Sequence, residues 1–181
     1  MDKSHLRIPK HQVPVTLWVH PEGRVLGAIF VHPPGPDSPR GEEPADVLNQ
    51  PESFVVVKRD NPDETRFYNK SAVVRLEYWE SGESAFTGTP LPCRVTLMDG
   101  SLIDGEICKA LPPERSRLYD YMNEVAERFL KLHLGKGEQM LINKSYIVSI
   151  GTPEERAADA EPPDGPGGGP DSIEGPLELA A

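Results

Sequence analysis

"EQMLINKSYIVSIG", residues 138–151, reads as a strand, a polar break and a second strand, and the chain has already written the same punctuation in "TRFYNKSAVVRLE", residues 65–77. Each copy runs apolar or aromatic residues up to Asn-Lys-Ser and then alternates. The alternating residues are Val73, Val74 and Leu76 in the first copy, and Ile147, Val148 and Ile150 in the second. Asn tolerates left-handed backbone and Ser bonds to local backbone, so the triplet suits a sharp turn between two strands. It also fits the Asn-x-Ser sequon, which is discounted because no secretion signal precedes it.

Outward from these turns the two halves keep similar order and spacing. "VPVTLWVHPEGRVLGAIFVH" stands against "LPCRVTLMDGSLIDGEICKA", with Val15-Thr16-Leu17 matching Val95-Thr96-Leu97 and Gly27 matching Gly105. "ADVLNQPESFVVV" and "LYDYMNEVAERFLKL" then share Asp46 with Asp120, Asn49 with Asn123 and Phe54 with Phe129. Such self-similarity predicts a duplicated unit.

Each unit reads as short strands. Alternation around Asp99-Gly100 is a hairpin signal. A three-residue loop there puts Leu97 opposite Ile103 and Cys93 opposite Ile107, so Cys108 faces away and no Cys93–Cys108 disulfide is expected. Gly27 and Gly105, inside strands, predict a bulge or bend. Leu118, Met122, Val125 and Phe129 fall at helical spacing, which predicts a helix over Arg117–Phe129 with Ser116 as N-cap. The first unit has room only for a turn or two at Pro44–Gln50, after a proline-rich loop. Further strands are predicted at Ser53–Lys58, Arg66–Tyr68, Ala72–Tyr78, Phe129–Leu134, Gln139–Ile142 and Tyr146–Ile150.

The chain of 181 residues carries a net charge of −10, 20 Pro and 16 Gly. Most of that charge lies in residues 152–181, an acidic Pro/Gly-rich tail without aromatic residues that cannot offset the entropy of ordering. The rest is close to balanced. No segment reaches the ~20 apolar residues of a membrane helix. Two cysteines and no apolar leader predict a cytoplasmic protein with free thiols.

The hairpin "VTLMDGSLIDGEI", the elements "DVLN" and "DYMN", and "LINKSYIVSI" together resemble the Sm-like family of small SH3-like barrels, over residues 13–78 and 92–150. The chain is similar to bacterial members with a helix inserted after the first hairpin. The resemblance implies a mainly β fold with short helices (α+β): two tandem SH3/Sm-like small barrels. The expected organisation is a flexible N-terminus at 1–12, a first barrel at 13–79 and a linker at 80–91. A second barrel with an inserted helix follows at 92–151, and then the disordered tail at 152–181. By the same resemblance Asp46, Asn49, Asp120 and Asn123 stand where Sm proteins contact an RNA base. Asn69, Lys70, Asn143 and Lys144 stand at the basic turn. The spacing departs from the family: two residues, not three, separate Asp120 from Asn123, and on a helix both would lie on one polar face.

Three functions compete for this sequence. A non-catalytic protein-interaction or regulatory module follows from exposed edge strands, which pair with a partner or with another copy of the chain. Two units in one chain raise apparent affinity for a repeated partner. Trp18, Trp79 and Phe86 are candidate surface anchors, but for Trp79 and Phe86, which stand between the units, packing of one unit on the other is the expected role. RNA binding through the eight Asp, Asn and Lys positions is the alternative, and its difficulty is charge: affinity for nucleic acid comes largely from Lys and Arg on phosphates, whereas Pro92–Ile150 sums to zero. Catalysis is not expected. The five His show no metal-ligand spacing, no Gly-rich loop opens a helix, and no cofactor or metal is implied.

Overall fold

The computed structural model describes residues 10–36, 38–80, 88–109 and 117–153. The first half contains β1 (His11–Val19), β2 (Gly23–Val31), α1 (Pro44–Asn49), β3 (Phe54–Arg59), β4 (Glu64–Asn69) and β5 (Val73–Trp79). The second contains β6 (Leu91–Leu97), β7 (Leu102–Ile107), α2 (Leu118–Met122), β8 (Phe129–Gly135), β9 (Glu138–Asn143) and β10 (Ile147–Gly151). The chain is therefore mainly β, and strands alternate as the apolar periodicity predicts. The tail from residue 154 onward, the Ser116 cap and Phe86 lie outside the described residues.

All ten strands join one antiparallel sheet, in the order β10-β6-β7-β8-β9-β5-β1-β2-β3-β4. Within each half the order is the same: last strand, first, second, third, fourth. The expected pair of closed barrels is not what forms. The outer edge of β5 is taken by β9, with Leu76 opposite Leu141 and Tyr78 opposite Gln139, so among the described residues the sheet stays open and β10 and β4 are its ends. An irregularity also recurs. The register of β5 against β1 shifts between Trp18 and Val19, and that of β10 against β6 shifts between Ile147 and Ser149.

Two further expectations are corrected. The predicted helix over Arg117–Phe129 is one turn, α2, closed at Asn123, whose Nδ2 donates to the Tyr119 carbonyl at 2.8 Å. Val125 is almost fully exposed, whereas Phe129 opens β8 and is fully buried there. Burying an aromatic residue in a strand outweighs an exposed helical turn. The β6–β7 hairpin has its three-residue loop at Met98–Gly100, so Leu97 meets Ser101, Val95 meets Ile103 and Cys93 meets Gly105. The glycine at φ +83° and the Asp99 carboxylate, accepting from the Ser101 N–H at 2.8 Å, fix that turn. A slip of two residues leaves every side chain on its predicted face, which is why alternation alone could not exclude it. The same slip affects the comparison of the halves. Val15 faces Gly27 as Cys93 faces Gly105, so Val15-Thr16-Leu17 stand where Cys93-Arg94-Val95 do. Both cysteines are free thiols, Cys93 buried and Cys108 partly so.

The two strand glycines serve close approach. A Cβ at Gly27 would lie 2.3 Å from the Lys58 carbonyl oxygen, and one at Gly105 would lie 3.2 Å from that of His133.

The core has two clusters. The first contains Leu17, Ile29, Leu48, Val57 and Leu76, but also Phe129 and Leu141 from the second half. The second is built on Val95, Leu97, Leu130, Leu132 and Ile142. Strands β8 and β9 therefore face two ways: Leu130, Leu132 and Ile142 into their own half, Phe129 and Leu141 into the other. Strand β4, in contrast, buries only Tyr68.

Candidate functional site

Two of the three buried polar side chains among the described residues, Lys70 and Asn143, lie in the repeated Asn-Lys-Ser turns. Lys70 is 1% exposed, and its ammonium donates to the carbonyls of Val47 at 2.6 Å and Gln50 at 3.0 Å. These are carbonyls of the last turn of α1 and the residue capping it, groups that a helix end leaves unpaired. Lys144 does the same for α2, donating to Tyr121 at 3.1 Å and Glu124 at 3.0 Å. Burial lowers the pKa of both lysines. Neither ammonium is offered to solvent as a free cation.

Asn69 and Asn143 also share a local role. Each side-chain oxygen accepts from the backbone N–H two residues on, Ser71 at 2.9 Å and Ser145 at 3.1 Å, which closes the turn. The Asn143 amide goes further. It is buried, and its Nδ2 donates across the junction to the carbonyls of Lys70 at 3.2 Å and Val73 at 2.9 Å.

Asp46 and Asp120 occupy the third position of their helices. Each carboxylate accepts from the N-cap backbone, Glu43 N–H at 2.9 Å and Arg117 N–H at 3.2 Å, a capping arrangement. Asp46 also pairs with Arg40 at 3.1 Å. Asn49 reaches across the junction: its Oδ1 accepts from the Phe129 N–H at 2.8 Å and its Nδ2 donates to the Phe129 carbonyl at 3.3 Å. Asn123, its counterpart, caps its own helix instead. The eight candidate positions thus do not converge on one pocket. They form two helix-and-turn clusters, one per half, and the first is tied to the second half by hydrogen bonds.

Above the junction lies a cleft of about 610 Å³, lined by Asp46, Asn49, Lys109, Tyr121, Lys131 and His133 among others. Its cations are paired. Lys131 meets Glu43 at 2.9 Å and Glu80 at 3.5 Å, and Lys109 meets Glu124 at 2.5 Å and Glu127 at 2.7 Å. Burial opposes the charge on Lys131, but Tyr78, Glu43 and Glu80 outweigh it and raise its pKa. Burial, reinforced by Lys131, lowers that of His133, which stays neutral near pH 7. Burial pushes the Tyr78 hydroxyl up to about 12. The Lys131 pairs tie the second half to the first, whereas those of Lys109 lie within the second half.

The unsatisfied surface is elsewhere, at the β3–β4 end of the sheet. Phe54, Val56, Phe67 and Asn69 share one face, since Phe54 stands opposite Asn69 and Val56 opposite Phe67. Phe54 is 54% and Phe67 67% exposed. No signal in the sequence marks this face, because the burial of Phe129 and Leu141 at the matching positions hides the asymmetry. Trp79, an expected packing residue between the units, is instead mostly exposed, while Trp18 is covered by the Arg75 guanidinium at 4.1 Å from its ring. Among the described residues no helix is long and apolar enough to cross a membrane, and no three His, Cys, Asp or Glu side chains converge as a metal site.

No protein-family model matches the chain, and no curated protein and no solved structure matches it.

Proposed function

We propose that the chain is a non-catalytic, cytoplasmic protein-interaction module that binds protein through the open ends of its sheet, and that its halves are copies of one five-stranded, Sm-like unit. The observation carrying this reading is the β3–β4 end, where an unpaired strand edge adjoins exposed Phe54 and Phe67. Edge strands offer a row of free N–H and C=O groups to an added strand, and adjoining aromatic side chains supply the apolar anchor that such pairing uses. The duplication is supported by the repeated strand order, the repeated register shift and the paired roles of Lys70 and Lys144.

RNA binding draws less support. Phosphate contacts require accessible cations, and the two turn lysines are committed to helix carbonyls.

The test is purification of the tagged full chain from its own cells, with and without nuclease, beside the Phe54→Ser, Phe67→Ser variant. A stoichiometric protein that survives nuclease and is lost in the variant is the expected result. Enriched RNA, retained by the variant and removed only by nuclease, overturns the reading in favour of the RNA alternative.

A further inference from the structure

Where the two halves meet, another cavity of about 500 Å³ opens. Strands β1 and β5 of the first half supply Trp18, Val74 and Arg75 to its lining. The β6–β7 turn of the second half supplies Met98 and Asp99, with Tyr146 beside them. Backbone and hydroxyl groups hold these walls in place. The Met98 N–H donates to the Tyr146 carbonyl at 3.0 Å, and the Tyr146 hydroxyl donates across the junction to the Ser71 carbonyl at 3.2 Å. On the other side the His20 N–H donates to the Ala72 carbonyl at 2.8 Å. A pre-formed, mostly apolar cavity with a few polar groups has the form of a small-ligand site, and about 300–1,000 Å³ is the usual size.

Its two charged groups are left without a mutual partner. Arg75 stands opposite Trp18 in the strand register, and its guanidinium lies on the indole ring at 4.1 Å. That side chain is only 16% exposed, yet its Nε is buried with no hydrogen-bond partner among the described residues. The one carboxylate within 4 Å, that of Glu77, is 3.6 Å away and lines a neighbouring cavity instead. A planar fork of N–H donors fixed against a ring is suited to a carboxylate. Asp99 is the opposite charge. Hydrogen bonds from Ser101, with the charge of Arg75 adding to them, hold its carboxyl below its ordinary pKa. Arg75 and Asp99 thus feel one another's charge without forming an ion pair, and an apolar wall lies beside them.

The geometry points to a binding site for a free α-amino acid with a large apolar side chain. Its carboxylate takes the N–H groups of Arg75, its ammonium takes the Asp99 carboxylate, and its side chain lies against Val74, Met98 and Tyr146. Other ligand classes answer only part of the site. A fatty acid leaves Asp99 unpaired, an amine leaves Arg75 unpaired, and a phosphate ester brings a second negative charge up to Asp99. Charged groups left unpaired on binding cost affinity. Because Arg75 belongs to the first half and Asp99 to the second, a bound amino acid bridges the junction and stabilises the folded chain by mass action.

The protein carries its own reporter. Of its two tryptophans, Trp18 lines the cavity and Trp79 is mostly exposed, so a full-length Trp79→Phe chain leaves Trp18 alone to report. Titration with leucine, methionine and phenylalanine should change its fluorescence saturably, with a Kd of about 10 µM to 1 mM, and should raise the thermal midpoint. N-acetyl-leucine, which lacks the ammonium, and 3-methylbutylamine, which lacks the carboxylate, should each bind at least about tenfold more weakly than leucine. Arg75→Gln should weaken leucine about tenfold to a hundredfold. Asp99→Asn keeps an acceptor for the Ser101 N–H and removes the charge. It should weaken leucine about tenfold while leaving N-acetyl-leucine unchanged. The inference is overturned if none of the three amino acids saturates below ~10 mM. It is equally overturned if the amine binds as well as leucine, or if Asp99→Asn weakens leucine and its N-acetyl form alike. The cavity lies on β1 and β5, away from the β3–β4 end, so its failure leaves the protein-binding reading standing, and the reverse also holds.

Discussion

The same tripeptide holds Lys70 and Lys144, yet the two should not be worth the same. Replacing Lys70 with Met keeps most of the side chain's volume and removes the ammonium. The carbonyls of Val47 and Gln50 then lose their donor in a site that is 1% exposed. An orphaned buried carbonyl costs about 1–3 kcal/mol. Against that stands relief from burying a charge, which the lowered pKa of Lys70 records. The balance is a loss of about 2–3 kcal/mol. Lys144→Met uncovers Tyr121 and Glu124 carbonyls at a half-exposed site that water can reach, so about 1 kcal/mol is expected. Urea titration followed by tryptophan fluorescence measures both, and an unchanged m-value licenses the comparison. Equal costs for the two variants, or a Lys70→Met protein within ~0.5 kcal/mol of wild type, would refute the capping account.

Four other outcomes are expected. Gly27→Ala drives a Cβ to 2.3 Å from the Lys58 oxygen and should cost more than ~2 kcal/mol, whereas Gly105→Ala, at 3.2 Å from its nearest oxygen, should cost less; thermal melts of both variants decide. In native protein one thiol per chain, Cys108, should react with a colorimetric disulfide reagent, and Cys93 only after unfolding. Burial pushes the Cys93 thiol from 9.0 up to about 11. The folded state therefore holds that proton more tightly, and the associated stability is present below pH 9 and lost as pH rises to about 11. That is about 3 kcal/mol at most, and a Cys93→Ala variant should lack this slope. Asn49→Ala strands the N–H and carbonyl of Phe129 and should cost about 2–4 kcal/mol, while Asn123→Ala costs under ~1; denaturant midpoints check the pair.

Much of the fold was legible because strand alternation and turn chemistry are local. Strands β3, β4, β5, β8, β9 and β10 start and stop within one or two residues of where apolar periodicity and Asn-Lys-Ser place them. What failed had a non-local cause. Phe129 fits a helical spacing as well as a strand, and only the cluster across the junction, invisible in sequence, decides for the strand. The hairpin register is ambiguous by two because the period of a strand is two. The candidate residues were found, but their chemistry was not. Lys70 reads as a surface cation until α1 is seen to end beneath it, and Asn49 reads as a base-contacting residue of the Sm pattern until Phe129 arrives beside it.

That late arrival has a consequence for synthesis. The seat for Phe129 and Leu141 is built by the first half, but its occupants are about 60 residues further along the chain, roughly 3–12 s of translation at ~5–20 residues per second. During that interval the nascent first half carries an open apolar seat. On a crowded polysome, the finished second half of a neighbouring chain fits it equally well. The window for two chains to exchange halves is therefore set by the ribosome's pace, and slowing or speeding elongation downstream of β5 should change how often such exchange occurs.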